Sequence, residues 1–325
     1  MQNNTANLNI MTKAARKASK SLIRDFNEIE KLQVVSKKAG DFVSKADLRA
    51  EKIIKEELLS ARPSYGWCAE ESKEIEGEDP TRRWIVDPLD GTTNFLHGIP
   101  HWAISIALEH KKEIVAGIIY DPIKDELFSA QKGGGSWLNE QRLRVSNRTT
   151  FQEMLFSTGI PFGQNDNLQN SLSSIGNLMP SCSGIRRNGA AALDLAYVAA
   201  GRFDGFWEQN LSPWDMAAGI ILVKEAGGIL ESIERNHTPL ETGNIICSNN
   251  QETVFKKFSE IITIIAPRHL DETSRIKDLC IRYNLKAQIL NKDDKIQDQV
   301  DIVIVNSFGI LNEFFKFSKG VFIGK

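Results

Sequence analysis

The residues most capable of chemistry lie in one run, Trp84-Ile85-Val86-Asp87-Pro88-Leu89-Asp90-Gly91-Thr92-Thr93-Asn94-Phe95. Three bulky apolar residues lead directly into a carboxylate, which predicts a buried strand ending at Asp87. Pro88 has no N–H to donate and is expected to stop the ladder there. Asp90 follows three residues later, so both carboxylates can converge just beyond the strand. Gly91-Thr92-Thr93 then supplies small residues and backbone N–H groups where a helix could begin, a position that favours phosphate oxygens. Acid ligands beside an anion cradle imply a divalent cation held between protein and phosphate. Oxygen-only ligands select magnesium or manganese over zinc. Asp-Pro and Asp-Gly are often no more than turn dipeptides. Two acids, a glycine and two threonines at fixed offsets after a strand read instead as a site.

This run resembles the first signature of the inositol monophosphatase family. Pro213-Trp214-Asp215-Met216-Ala217-Ala218-Gly219 resembles the second signature, and Glu70-Glu71 the upstream acid pair. The resemblance covers about residues 10–255, with the motifs in the family's order. It implies a layered αβαβα sandwich, a fold of the α+β and α/β kind. It also implies a dimer, lithium inhibition, and a phosphomonoesterase acting on myo-inositol monophosphate or a similar small polyol phosphate. Phosphate monoester hydrolysis is among the slowest uncatalysed reactions, so such a site must activate water and neutralise developing charge. Two cations a few ångströms apart do both.

The resemblance assigns the roles residue by residue. Glu70, Asp87 and the Leu89 carbonyl would hold a first magnesium, and Asp87, Asp90 and Asp215 a second. Glu70 would assist a third, weaker ion. Thr92 would orient the nucleophilic water, with Asp47 accepting from its hydroxyl as an outer partner. The Gly91 and Thr92 N–H groups would bind phosphate, with Asp90 and Asp215 also at the substrate. Glu208 would hydrogen-bond a sugar or cyclitol hydroxyl. Gly189-Ala190-Ala191 matches the family's Gly-Ser/Thr-Ala at the ring-binding turn, but Ala190 lacks the usual hydroxyl, which removes one donor for inositol. A lysine of Lys37-Lys38-Ala39-Gly40 would help hold water or phosphate. No covalent enzyme intermediate is implied.

The chain that must position these residues has 325 of them, which suits two domains with room for a third piece. The net charge of −2 gives no electrostatic case for nucleic acid or an anionic membrane. Cys68, Cys182, Cys247 and Cys280 are scattered and read as reduced core residues of a cytoplasmic protein. The polar start of the chain shows no signal pattern, and no apolar run approaches ~20 residues.

Apolar residues recur at helical spacing over 10–29, and Ser44 with Asp47 resembles a capping box for a second helix ending before Pro63. Residues 65–69 read as a short apolar element that delivers Glu70-Glu71, and residues 72–83 as a charged loop. Strands are predicted at 103–108, 114–120 and 126–131, with Gly133-Gly134-Gly135 as a turn and a hairpin at Asn139-Glu140. Helices are predicted at 167–178, 190–200 and 213–226, with strands at 154–158, 203–207, 229–232 and 244–248. The expected division is an α+β metal- and phosphate-binding half over 1–150 and an α/β half over 151–258, with the site at their seam.

Residues 259–325 read as strand, helix, strand, then strand, helix, strand. Ile265-Ala266-Pro267-Arg268-His269 and Val303-Ile304-Val305-Asn306-Ser307-Phe308-Gly309 resemble pieces of the lipid A Kdo transferase family. They cover a short internal segment of it, so a truncated glycosyltransferase-like remnant, inactive as a transferase, is expected. Within the phosphatase class the rivals are histidinol-phosphate, fructose-bisphosphate and nucleotide 3′-phosphatases, which share the metal motifs. A rival of another kind is a non-catalytic role beside the transcription and ribosome-maturation machinery, as the resemblance implies for some bacterial relatives.

Overall fold

A computed structural model describes residues 5–28, 34–38, 41–160, 168–234, 236–250, 255, 287–290 and 302–305. The chain divides into two compact units, Met1–Lys256 and Lys257–Lys325. In the second unit the described strands β15 (Ala287–Leu290) and β16 (Ile302–Val305) pair in parallel. The other elements expected beyond residue 259, and Cys280, lie outside the described residues.

The first unit opens with α1 (Ala6–Phe26), whose stripe Leu8, Met11, Ala14, Ala15, Ala18 and Leu22 is buried. Burying Leu8, Met11 and Leu22 stabilises by roughly 1.5–3 kcal/mol each, which together outweighs the ~1 kcal/mol of a cap such as Thr5. Packing therefore holds this helix. The antiparallel pair β1 (Val34–Lys38) and β2 (Asp41–Ser44) comes next. Helix α2 (Lys45–Ala61) packs on α1 and ends before Pro63.

A seven-stranded sheet follows in spatial order β3 (Tyr65–Ala69), β4 (Asp79–Asp90), β5 (Ala103–His110), β6 (Glu113–Asp121), β7 (Glu126–Gln131), β8 (Gly135–Leu138) and β9 (Gln141–Arg142). Only β3 and β4 run parallel. The period of two sorts its side chains cleanly. Trp84, Val86, Ile104 and Ile106 pack toward α1 and α2, whereas Ile85, Ala103 and Ala107 face the next helical layer. Two expectations are corrected here. The segment 72–83 is not all loop, since β4 begins at Asp79, and the strand does not end at Asp87. It continues past Pro88 to Asp90, which pairs with Ala103 after a register shift between Asp87 and Asp90. A shifted ladder does not require every N–H, so the proline fits inside it.

The next layer holds α5 (Ala191–Ala199) and α6 (Pro213–Glu225), after the short α3 (Thr92–Leu96) and α4 (Leu168–Leu178). Residues 216–223 of α6 are all buried, as expected for a helix apolar on every side. Beyond lies a five-stranded mixed sheet, β11-β10-β12-β14-β13, built from β10 (Leu155–Thr158), β11 (Gly184–Arg186), β12 (Gly205–Glu208), β13 (Ile229–Ser232) and β14 (Ile245–Ser248). The strand expected at 203–207 starts two residues later and includes Glu208 itself. Strand β11 and α7 (Pro239–Thr242) were not anticipated, each being too short to show a period. Alternating helical and sheet layers give an α+β sandwich. Among the described residues no helix is long and apolar enough to cross a membrane.

The glycine run is indeed a turn, and it already holds an anion. Glu225, the last residue of α6, accepts from the N–H groups of Gly133 and Gly135, both at 2.8 Å. A carboxylate at a helix C-terminus opposes the dipole by ~0.3–1 kcal/mol, and two charge-assisted hydrogen bonds exceed that. Glu225→Ala should therefore destabilise by about 1–2 kcal/mol, read from the urea midpoint. Glu225→Gln, which keeps one acceptor, should lose less.

Candidate functional site

A cleft of about 190 Å³ opens in the first unit and is lined from both predicted halves. That is below the ~300–1,000 Å³ of pockets for drug-sized ligands, so a small molecule fits it. Glu70 follows β3, Asp87, Leu89 and Asp90 close β4, and Gly91 and Thr92 start α3. Glu208 ends β12 and Asp215 lies in the first turn of α6. Gly189, Ala190 and Ala191 form the turn into α5 on the same wall. Outside the segment 37–40, every residue expected at the site lines the cleft except Asp47, which stands one hydrogen bond behind it. Lys37 and Lys38 have no described side chains, and Ala39 and Gly40 lie outside the described residues.

Each aspartate is aimed by a backbone donor. Asp87 Oδ1 accepts from Leu89 N–H at 2.9 Å, Asp90 Oδ2 from Ala192 N–H at 2.9 Å, and Asp215 Oδ2 from Ser212 N–H at 2.7 Å. Asp90 thereby caps α5 from 102 residues away, where the N-cap Ala190 has no side chain to do so. Asp215 both caps its own helix and faces the cleft. Thr92 Oγ1 lies 3.0 Å from Asp47 Oδ1 and 3.0 Å from the Leu89 carbonyl, and its one proton can serve either. Gly91 has φ +90, and a Cβ there would stand 3.1 Å from the His101 carbonyl and 3.3 Å from Ala190 Cβ. Helix α3 has only five residues, so its dipole is small and anion binding at Gly91-Thr92 would rest on N–H groups.

The electrostatics are one-sided. Burial, then the charges of Glu70, Asp90 and Asp215, push the Asp87 carboxyl well above the usual carboxylate range. Burial, then Asp215, with smaller pushes from Asp194 and Glu70, does the same to Asp90. Buried like charges can be relieved by a proton or by a cation. The donors are all oxygen, which suits a hard divalent ion. No group of three or more His, Cys, Asp or Glu side chains among the described residues stands ready-closed around an ion position. The carboxylates of Glu70, Asp87, Asp90 and Asp215 on one cleft wall are hard oxygen donors, a chemistry that fits magnesium or manganese.

Sequence reasoning missed Arg187 and Asp194, both on the cleft wall. Asp194 left a signal, being the lone acid in the apolar run Ala190-Ala191-Ala192-Leu193-Asp194-Leu195-Ala196. Its carboxylate accepts from Asn188 Nδ2 at 2.8 Å, and the Asn188 carbonyl accepts from Asn94 Nδ2 at 2.8 Å. Burial pushes Asp194 up to about 7, against the pull of Asn188 and Arg187. A folded pKa above the unfolded value favours folding below pH ~4, and that contribution is lost as pH rises through about 7. Asp194→Asn keeps an acceptor for Asn188 and removes the charge. The cation-free variant should match the wild type near pH 4 and melt on the order of 5 °C higher at pH 8.

A sequence profile described as the inositol monophosphatase family matches residues 3–263. An inositol-1-monophosphatase of Rhizobium meliloti (strain 1021) is 53% identical over 258 residues, which is 79% of this chain and 96% of the relative. The Nus factor SuhB of Pseudomonas aeruginosa is 45% identical over 264 residues, 80% of this chain and 96% of that protein. Among solved structures, the extragenic suppressor protein suhB from Bartonella henselae aligns with a TM-score of 0.76 at 52% identity, over 79% of this chain and 98% of that one.

Proposed function

Because this chain belongs to the inositol monophosphatase family, we propose that it hydrolyses myo-inositol monophosphate or a similar small polyol phosphate, with magnesium as cofactor and manganese as a substitute. The observation that carries this reading is the convergence of Glu70, Asp87, Asp90 and Asp215 on one small cleft beside Gly91 and Thr92. When bound, two or three such ions supply a lowered water pKa and neutralise charge on the phosphoryl and leaving oxygens. Glu70, Asp87 and the Leu89 carbonyl would hold one, and Asp87, Asp90 and Asp215 another. Glu70 would reach the third.

The remaining steps belong to the chain. The Thr92 hydroxyl can donate to Asp47, which leaves the threonine oxygen to orient the attacking water, and the Leu89 carbonyl would then be open to a cation. Backbone N–H groups of Gly91 and Thr92 hold the phosphate. Gly189, Ala190, Ala191 and Glu208 receive the polyol. In the cation-free site burial, then the charges of Asp194, Asp215 and Asp90, push the Glu208 carboxyl well above the usual range. The working state is a homodimer.

The test is a phosphate-release assay on cyclitol, sugar and amino-alcohol phosphates, with magnesium and with chelator. Magnesium-dependent turnover of a polyol phosphate is expected, with inhibition by lithium. Robust turnover of histidinol phosphate and none of inositol phosphate would replace the substrate. The SuhB name of the Pseudomonas relative supports a second reading, association with the transcription machinery. Normal growth of cells carrying an inactive Asp87→Asn protein would favour it.

A further inference from the structure

Helix α2 continues the face that carries Asp47 with two residues the expected site leaves unexplained. Asp47, Glu51 and Lys55 are spaced by four and share one face of the helix. Asp47 Oδ1 takes the Thr92 hydroxyl at 3.0 Å. Glu51, only 4% exposed, takes the backbone N–H of Glu71 with Oε2 at 2.8 Å. Lys55 Nζ lies 5.2 Å from the centroid of Trp67, whose Nε1 donates to Ser72 Oγ at 2.9 Å. One rigid helix thus grips both the start of α3 and the turn 70–72.

Glu51 is a buried carboxylate with Asp47 four residues earlier and Lys55 four residues later on the same helix face, so a like charge on one side is matched by an opposite charge on the other. Its placement is explained by what it holds, since the residue before Glu71 is Glu70.

We propose that Glu51 is the positioning residue that aims Glu70 at the cation, by fixing the Glu71 N–H and hence the turn direction after β3. This rests on the reading above that Glu70 holds a cation. Asp47 and Glu51 together then set the spacing between the water-orienting hydroxyl at the start of α3 and the Glu70 ligand just after β3. Loss of such an outer partner lowers metal affinity ~10–100-fold.

The full-length wild type, Glu51→Ala and Glu51→Gln are titrated with manganese, and the free ion is followed by electron paramagnetic resonance. Amide exchange at Glu71 is measured in parallel. Glu51→Ala should bind manganese at least about tenfold more weakly, with faster exchange at Glu71. Glu51→Gln keeps an oxygen acceptor and should stay near the wild type on both readouts. Wild-type affinity in Glu51→Ala would overturn the proposal, and so would a Glu51→Gln as weak as Glu51→Ala, because charge and not positioning would then be the cause. Should Glu51→Ala not fold, Glu51→Asp withdraws the carboxylate by one methylene and should weaken binding likewise. Wild-type affinity in Glu51→Asp would then overturn the proposal. A wild type that binds no manganese would remove the reading of Glu70 itself.

Discussion

Asp87→Asn is expected to lower kcat/KM for the best phosphate monoester by at least about 10³, or ~4 kcal/mol of transition-state stabilisation. The same substitution should raise the stability of the cation-free protein at pH 8. Both effects come from one geometry. Asp87 is 2% exposed, and Glu70, Asp90 and Asp215 all raise its pKa. A raised folded pKa favours folding below the unfolded value near 4 and is lost as pH climbs. At pH 8 the ionised Asp87 therefore burdens the cation-free fold, and asparagine relieves it while its Oδ1 still accepts from Leu89 N–H. Magnesium at ~100 times its Kd should raise the wild-type melting temperature by roughly 5–10 °C. The variant should show little of that gain. Calorimetry with chelator and with magnesium, beside the activity assay, separates the contributions. An active variant would remove Asp87 from the centre.

What could be read ahead of the structure divides by range along the chain. The apolar run into Asp87, the helical stripe of α1 and the strands β5 to β7 declare themselves by local period. Asp90 as a site residue was legible from the motif, but its bond to Ala192 N–H was not, since the partners are 102 residues apart. Asp194 sits in a helix of helix-forming residues, and its link to the signature loop runs through Asn188 and Asn94, the latter 100 residues away in the chain. Glu51 was hidden for the same reason, because nothing near it in sequence resembles the Glu71 amide it holds. Pro88 misled, as its missing N–H ends a regular ladder but is tolerated in a shifted one. Residue types announced the chemistry, whereas the contacts that aim those residues are tertiary.

Two glycine-to-alanine changes in helices should have opposite signs. Gly219 in α6 faces α5, and a Cβ there would stand 2.5 Å from Leu195 Cβ and 2.4 Å from its Cδ1. That is about 1 Å or more inside the ~3.5–4.0 Å optimum for carbon contacts. Leu195 Cβ is fixed to the α5 backbone, so the helices would have to separate. On its other side α6 is seated against β6, where a Cβ on Gly117 would lie 2.9 Å from Ala218 Cα. The helix therefore cannot retreat. Alanine gains ~1 kcal/mol of helix propensity, and overpacking of a core costs ~1–3 kcal/mol or more. With a backbone-fixed obstacle the clash wins. Gly219→Ala should lose about 2 kcal/mol net and melt roughly 4–8 °C lower. Activity should fall with it, because the same helix presents Asp215. Gly176 lies in the exposed part of α4, and a Cβ there would meet no atom within 4 Å, so Gly176→Ala should gain about 0.5–1 kcal/mol. Equilibrium urea unfolding of both variants decides the matter, and a stabilised Gly219→Ala would show that the spacing of α5 and α6 does not set the position of Asp215.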